Sequence, residues 1–320
     1  MEPLNNAHNN NHRRGRRRFN NPFNLDPKKE DISIERKMEE NLFCPMLAML
    51  PNFGLNNEYY SLITLNPLKE SFFHAIEAML FPNATLLQIS SIFCYIITII
   101  FIIILCFGLD ETNPKVFLQA KLSTVDTIGS FYPKRIKQNY WEYYRLFTFH
   151  FLHFNFSHLM LNIAHLLILG SYFEQLIKKY IFILIFFLTG IFSTLSSIWL
   201  FGENERYCGM DLDSGGICGA FIMLFIMNHR ATIKIFGNAG KFWTLYIICF
   251  YGFIYIFLFI GFGLGNPISA LISLVYGALI FAILVKPIKR KKWKTIVRFT
   301  SGIIILTFTI LSLIGFYGKE

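Results

Sequence analysis

Three residues in this chain have the chemistry and spacing of a reactive site. Ser214 lies in Asp213-Ser214-Gly215-Gly216-Ile217-Cys218-Gly219, between a polar loop (202–212) and an apolar run (220–227). A serine hydroxyl beside backbone N–H groups at a helix start can act as a nucleophile next to an oxyanion site. It can equally be an N-cap, because Ser and Asp are favoured there. His158 and Asn162 are four residues apart and so share one helix face. Polar groups in an apolar segment usually point into the bundle, where they mark function or hydrogen-bond neighbouring helices. A serine hydroxyl is a weak nucleophile without an adjacent base, and no histidine follows His229.

The elements that must position these residues are membrane helices. The chain has 320 residues, 54% of them hydrophobic and 17% aromatic. Apolar runs of roughly 20 residues recur, the length that crosses a bilayer as a helix. Seven spans are expected, at 89–107, 159–176, 181–200, 215–227, 242–262, 268–285 and 297–316. The fold class is all-α: a polytopic bundle of six helices with a seventh at the C-terminal end. With the N-terminus in the cytosol, the basic stretches Lys178-Lys179, 229–241 and 286–298 fall on the cytosolic side, as the positive-inside rule requires. Glu203, Glu205, Asp211 and Asp213 then read as loop carboxylates on the opposite side. Residues 1–40, with the run Arg13-Arg14-Gly15-Arg16-Arg17-Arg18, read as a disordered basic tail. Residues 41–88 read as an interfacial region with an amphipathic helix at 69–80. The core is 89–285, the basic linker 286–298, and the last span with the C-terminus 299–320. The long aromatic loop 108–157 suits the membrane interface.

The net charge of +10 is explained by topology and lipid headgroups rather than by a nucleic-acid partner, since the basic residues are scattered between spans. A disulfide framework is not expected, because few of the six cysteines could meet the far side. No Cys/His spacing suits zinc, and no cofactor or metal is expected. The first forty residues contain no apolar signal-peptide stretch. Of the two glycosylation sequons, at Asn83 and Asn155, only the second faces away from the cytosol on this topology. The endoplasmic reticulum, Golgi or plasma membrane is the expected location, ahead of a mitochondrial membrane.

Together these residues resemble the rhomboid family of intramembrane serine proteases. Glu142-Tyr143-Tyr144-Arg145 is similar to the family's Trp-Arg loop element, and Arg145 and Glu174 are its implied loop anchors. The stretch from Phe151 to His158, with the His158-xxx-Asn162 pair, resembles the start of the family's second helix. Gly170 and Glu174 resemble that helix's end. Ser214-Gly215-Gly216-Ile217 resembles the nucleophile segment. The resemblance implies a serine attacking a peptide bond, a sixth-helix histidine taking its proton, and His158 and Asn162 at oxyanion-type positions. The chain departs from that pattern. With Gly277 in register, Ala270 stands where the histidine belongs. Leu212 replaces the first glycine of Gly-x-Ser-Gly, and Cys218 replaces an aromatic. A second register makes Cys218 the nucleophile position, but a thiol in apolar surroundings is inert. Gly215 and Gly219, with Ser269, Ser273 and Gly277, form small-xxx-small faces suited to helix packing. The expectation is an inactive, pseudoprotease member that binds transmembrane clients and affects their trafficking or degradation. Two alternatives stand beside it: an active protease using water, His150, His153 or His165 as base, and a transporter.

Overall fold

The computed structural model describes residues 86–110, 116–202, 206–236, 255, 267–285 and 292–318. The expected interfacial helix at 69–80, and all of the expected fifth span except Tyr255, lie outside them. Among the described residues, six helices are long and apolar enough to cross a membrane. They are α1 (Ile89–Cys106), α2 (Phe156–Leu176), α3 (Lys179–Phe201), α4 (Asp211–Phe236), α5 (Pro267–Leu284) and α6 (Lys292–Tyr317). The chain is an all-α, multi-pass membrane protein. α5 and α6 are the expected sixth and seventh spans, and α6 reaches back to Lys292, inside the stretch expected to be linker.

Among the described spans α4 is the most enclosed: 83% of its spanning window is buried, against 17% for α6. Its small residues explain this. A Cβ on Gly219 would lie 1.9 Å from the Leu274 carbonyl oxygen of α5, and one on Gly277 2.0 Å from the Gly216 carbonyl oxygen of α4. The two backbones therefore touch, and only glycine permits the approach. On the α3 side, a Cβ on Gly216 would meet the Thr189 side chain at 2.3 Å. α6 lies outside this core. It is held by Ser312 Oγ, 3.0 Å from Ser196 Oγ of α3, whose other partner is Tyr276 OH of α5 at 2.7 Å.

Glu174 belongs to this frame. It stands at the end of α2, away from the long loop, and caps α1. Its carboxylate accepts from Ile89 N at 2.9 Å, Ser90 N at 3.0 Å and Ser90 Oγ at 3.1 Å. Removing it strands donors at a helix start that has no cap of its own. Glu174→Ala is expected to cost about 2 kcal/mol, the scale of a hydrogen bond to a charged group, read as a lowered Tm in detergent.

The long loop is built of short helical turns, among them Leu122–Ile128, Pro133–Gln138, Tyr140–Tyr144 and Arg145–Thr148. Arg145 organises them although only 1% of it is exposed. Its Nε donates to Glu142 Oε2 at 2.7 Å, and its Nη1 donates to the carbonyls of Asp126 at 2.6 Å and Ser130 at 3.0 Å. Burial raises the Glu142 pKa, but the guanidiniums of Arg135 and Arg145 outweigh it and hold the carboxyl below its ordinary value. An antiparallel bridge joins Phe131 to Tyr207, and Gly209 N donates to Phe149 O at 2.9 Å. The loop is thereby tied to the entry of α4.

Candidate functional site

α4 begins earlier than the apolar run. It starts at Asp211, and Ser214 N already donates to Met210 O at 2.8 Å. Two expectations are corrected by this. Ser214 is not the N-cap but a residue of the first turn, and Asp211 and Asp213 are not loop carboxylates. Both acids are buried, Asp213 completely. A helix N-terminus favours acidic side chains, but burial at this depth also demands partners. Those partners are histidines from the long loop and from α2.

Asp213 Oδ2 lies 2.8 Å from His150 Nδ1, while the other ring nitrogen, Nε2, is 3.0 Å from the Leu146 carbonyl. A carbonyl only accepts, so Nε2 carries a hydrogen. Nδ1 shares a proton with the carboxyl. His150 thus has no free lone pair. The pair fits because α3 has Gly190 opposite it, where a Cβ would fall 2.1 Å from Asp213 Oδ1 and 2.6 Å from His150 Cε1.

Asp211 takes the other side. His158 Nε2 lies 2.8 and 2.7 Å from its two carboxyl oxygens, and Asn162 Nδ2 donates to Oδ1 at 2.8 Å. α2 is set for this by Asn155, whose Oδ1 accepts from His158 N at 2.8 Å as the N-cap. Asn155, the potential glycan acceptor, is therefore engaged in the fold. His153 Nε2 sits 3.2 Å from Asn162 Nδ2 and accepts from it. Burial, with the charge of His158 adding to it, holds the His153 pKa well below the ordinary imidazole value. The folded state therefore excludes a proton that the unfolded state binds below roughly pH 6.5. Stability is full above that pH and falls as the pH drops below it. His153→Gln is expected to flatten the decline of Tm between pH 7 and pH 5, measured against the unaltered chain.

Ser214 Oγ donates to Asn162 Oδ1 at 3.2 Å, and Ser214 is only 2% exposed. A carboxamide oxygen orients a hydroxyl but is far too weak a base to take its proton. The nearby α5 segment supplies no base: Ala270 is fully buried, and its carbonyl accepts from Ser273 Oγ at 2.7 Å. Tyr255 and Ser273 pack against Gly215, whose Cβ would fall 2.4 Å from Tyr255 OH and 2.0 Å from Ser273 Oγ. Tyr255 OH donates to the Asp211 carbonyl at 2.6 Å. Cys218 is 1% exposed in the apolar core. His165, one turn beyond Asn162, lies at the Ser214 carbonyl with its Nε2 buried and unpaired. Among the described residues, no imidazole nitrogen hydrogen-bonds the Ser214 hydroxyl.

Residues 140–287 match a family model described as Rhomboid domain. That stretch, a little under half of the chain, is similar to a rhomboid domain. It takes in the loop from Arg145, all of α2 to α5, and every residue of the polar cluster. No curated protein matches the chain. Within the matched residues, the structure brings together Ser214, His158 and Asn162, and sets Gly215, Gly219, Ser273 and Gly277 at the α4–α5 contact. It places Arg145 in the loop and Glu174 at the far end of α2. Sequence reasoning missed the two His–Asp pairs. The available signal was two acids, 211 and 213, close before an apolar run, facing a loop rich in histidine.

Proposed function

We propose that this rhomboid-domain protein is proteolytically silent and accommodates transmembrane helices of client proteins, altering their trafficking or degradation. One observation carries the reading. The Ser214 hydroxyl is bonded to the Asn162 amide oxygen, while the sixth-span position that would carry a base is Ala270. The neighbouring histidines support it. His150, His153 and His158 each have a ring nitrogen committed to another group. His229 lies roughly 20 Å further along α4, at about 1.5 Å per residue. General-base help typically contributes about 10²–10⁴-fold and needs hydrogen-bond reach, so without it the hydroxyl stays a poor nucleophile.

The competing reading is an active intramembrane protease. Its support is His165, the histidine beside Ser214 with a buried, unpaired Nε2. Co-expression with single-span rhomboid substrates separates the two. The silent reading expects no cleavage product, and client amounts that shift equally with the unaltered chain and with Ser214→Ala. Cleavage lost in both Ser214→Ala and His165→Ala would establish the protease instead.

A further inference from the structure

The side chains of His158 and Asn162 converge on one point. His158 Nε2 and Asn162 Nδ2 each lie 2.8 Å from the same atom, Asp211 Oδ1, and His158 Nε2 also reaches Oδ2 at 2.7 Å. Two N–H donors aimed at one oxygen are the arrangement that stabilises a negatively charged oxygen. Here the oxygen is supplied by the chain itself. The backbone is shaped to deliver it. Gly209, at φ +105°, leads into α4, and a Cβ there would strike His158 Cε1 and Nε2 at 2.5 Å and approach Asp211 Oδ2 at 3.1 Å. Glycine lets the loop close over the contact. Asp211 stands one helical turn before Ser214, and the Asn162 amide that donates to its carboxylate accepts from Ser214 Oγ through its oxygen.

We propose that the His158–Asn162 cradle is a carboxylate-binding site and that Asp211 is its built-in occupant, closing the cradle to any carbonyl or anion from outside. This deepens the silent reading, on which it rests for its consequence: the chain lacks an accessible oxyanion site as well as a base. The carboxylate site itself is tested without any catalytic assay.

The test is chemical rescue on the full-length chain in detergent micelles. Sodium formate is compared with sodium chloride at equal ionic strength, with Tm as the readout. The unaltered chain should melt at the same temperature in both salts. Asp211→Ala should melt lower in chloride and regain about 4 °C or more in formate, with saturation. The double variant Asp211→Ala/Asn162→Ala should lose that response. Equal melting of Asp211→Ala in both salts overturns the proposal. So does a formate response that survives removal of Asn162, or one of the same size in the unaltered chain. If Asp211→Ala is recovered only as aggregate, membranes are solubilised in formate. Recovery of folded protein there supports the site, and equal loss in both salts overturns it. Failure of this rescue leaves the absence of cleavage unexplained at the oxyanion side but does not revive the protease, which the cleavage assay decides separately.

Discussion

Gly219→Ala is expected to be among the most damaging single-methyl changes in this chain. The added carbon would lie 1.9 Å from the Leu274 carbonyl oxygen, 2.7 Å from its carbon and 2.9 Å from Cα, all backbone atoms of α5. A flexible side chain could swing away; a helix backbone cannot. α4 and α5 must therefore separate, loosening the contact on which the Ser214 segment is seated. Helix propensity acts the other way, since alanine is favoured over glycine by about 1 kcal/mol in a helix interior. Overpacking of a dense core typically costs about 1–3 kcal/mol, and a backbone clash lies at the upper end or beyond it. The net expectation is a loss of about 2 kcal/mol or more. Gly302→Ala is the internal control. It lies in α6 with nothing within 4 Å of its added carbon, so propensity alone acts and stability should hold or rise. Thermal unfolding of both variants in the same detergent checks the contrast.

Arg145→Ala has the second large expected effect. The guanidinium is buried and holds Glu142 and two backbone carbonyls nineteen and fifteen residues upstream. Truncation leaves those carbonyls without the donor they face and halves the cation support of Glu142, whose remaining partner is Arg135 at 2.8 Å. Breaking a buried pair from one side costs about 3–5 kcal/mol. The loss should appear as cleavage of the 108–155 loop by added protease at temperatures where the unaltered chain resists. Arg145→Lys should not restore resistance, because a lysine ammonium cannot reach three acceptors with a planar fork.

Much of this architecture is legible in the chain. Runs without charge mark α1, α3 and α5, and the His158-xxx-Asn162 spacing marks the polar face of α2. The glycines at 215, 219 and 277 point to close packing. The entry of α4 is not legible in the same way. Asp211 and Asp213 precede the apolar run beside Gly209, and local chemistry makes such a stretch a loop with a capping serine. What turns it into helix is tertiary: His158 and His150 reach these acids from 53 and 63 residues away, and Gly190 on a third helix leaves the room. No local pattern encodes that pairing. The long loop hides Arg145's role for a similar reason, since its acceptors are carbonyl oxygens, which carry no side-chain signature. Glu174 is readable as a polar residue at a span's end, but its partner is the start of α1, 84 residues earlier.

The reactivity of the Ser214 hydroxyl is the central point. Incubation of the purified full-length chain with a serine-directed fluorophosphonate, followed by intact-mass measurement and peptide mapping, reads it directly. The account predicts no adduct on Ser214 after hours at neutral pH, because its proton has nowhere to go but an amide oxygen. A stoichiometric phosphonyl adduct on Ser214, absent from Ser214→Ala, would contradict it.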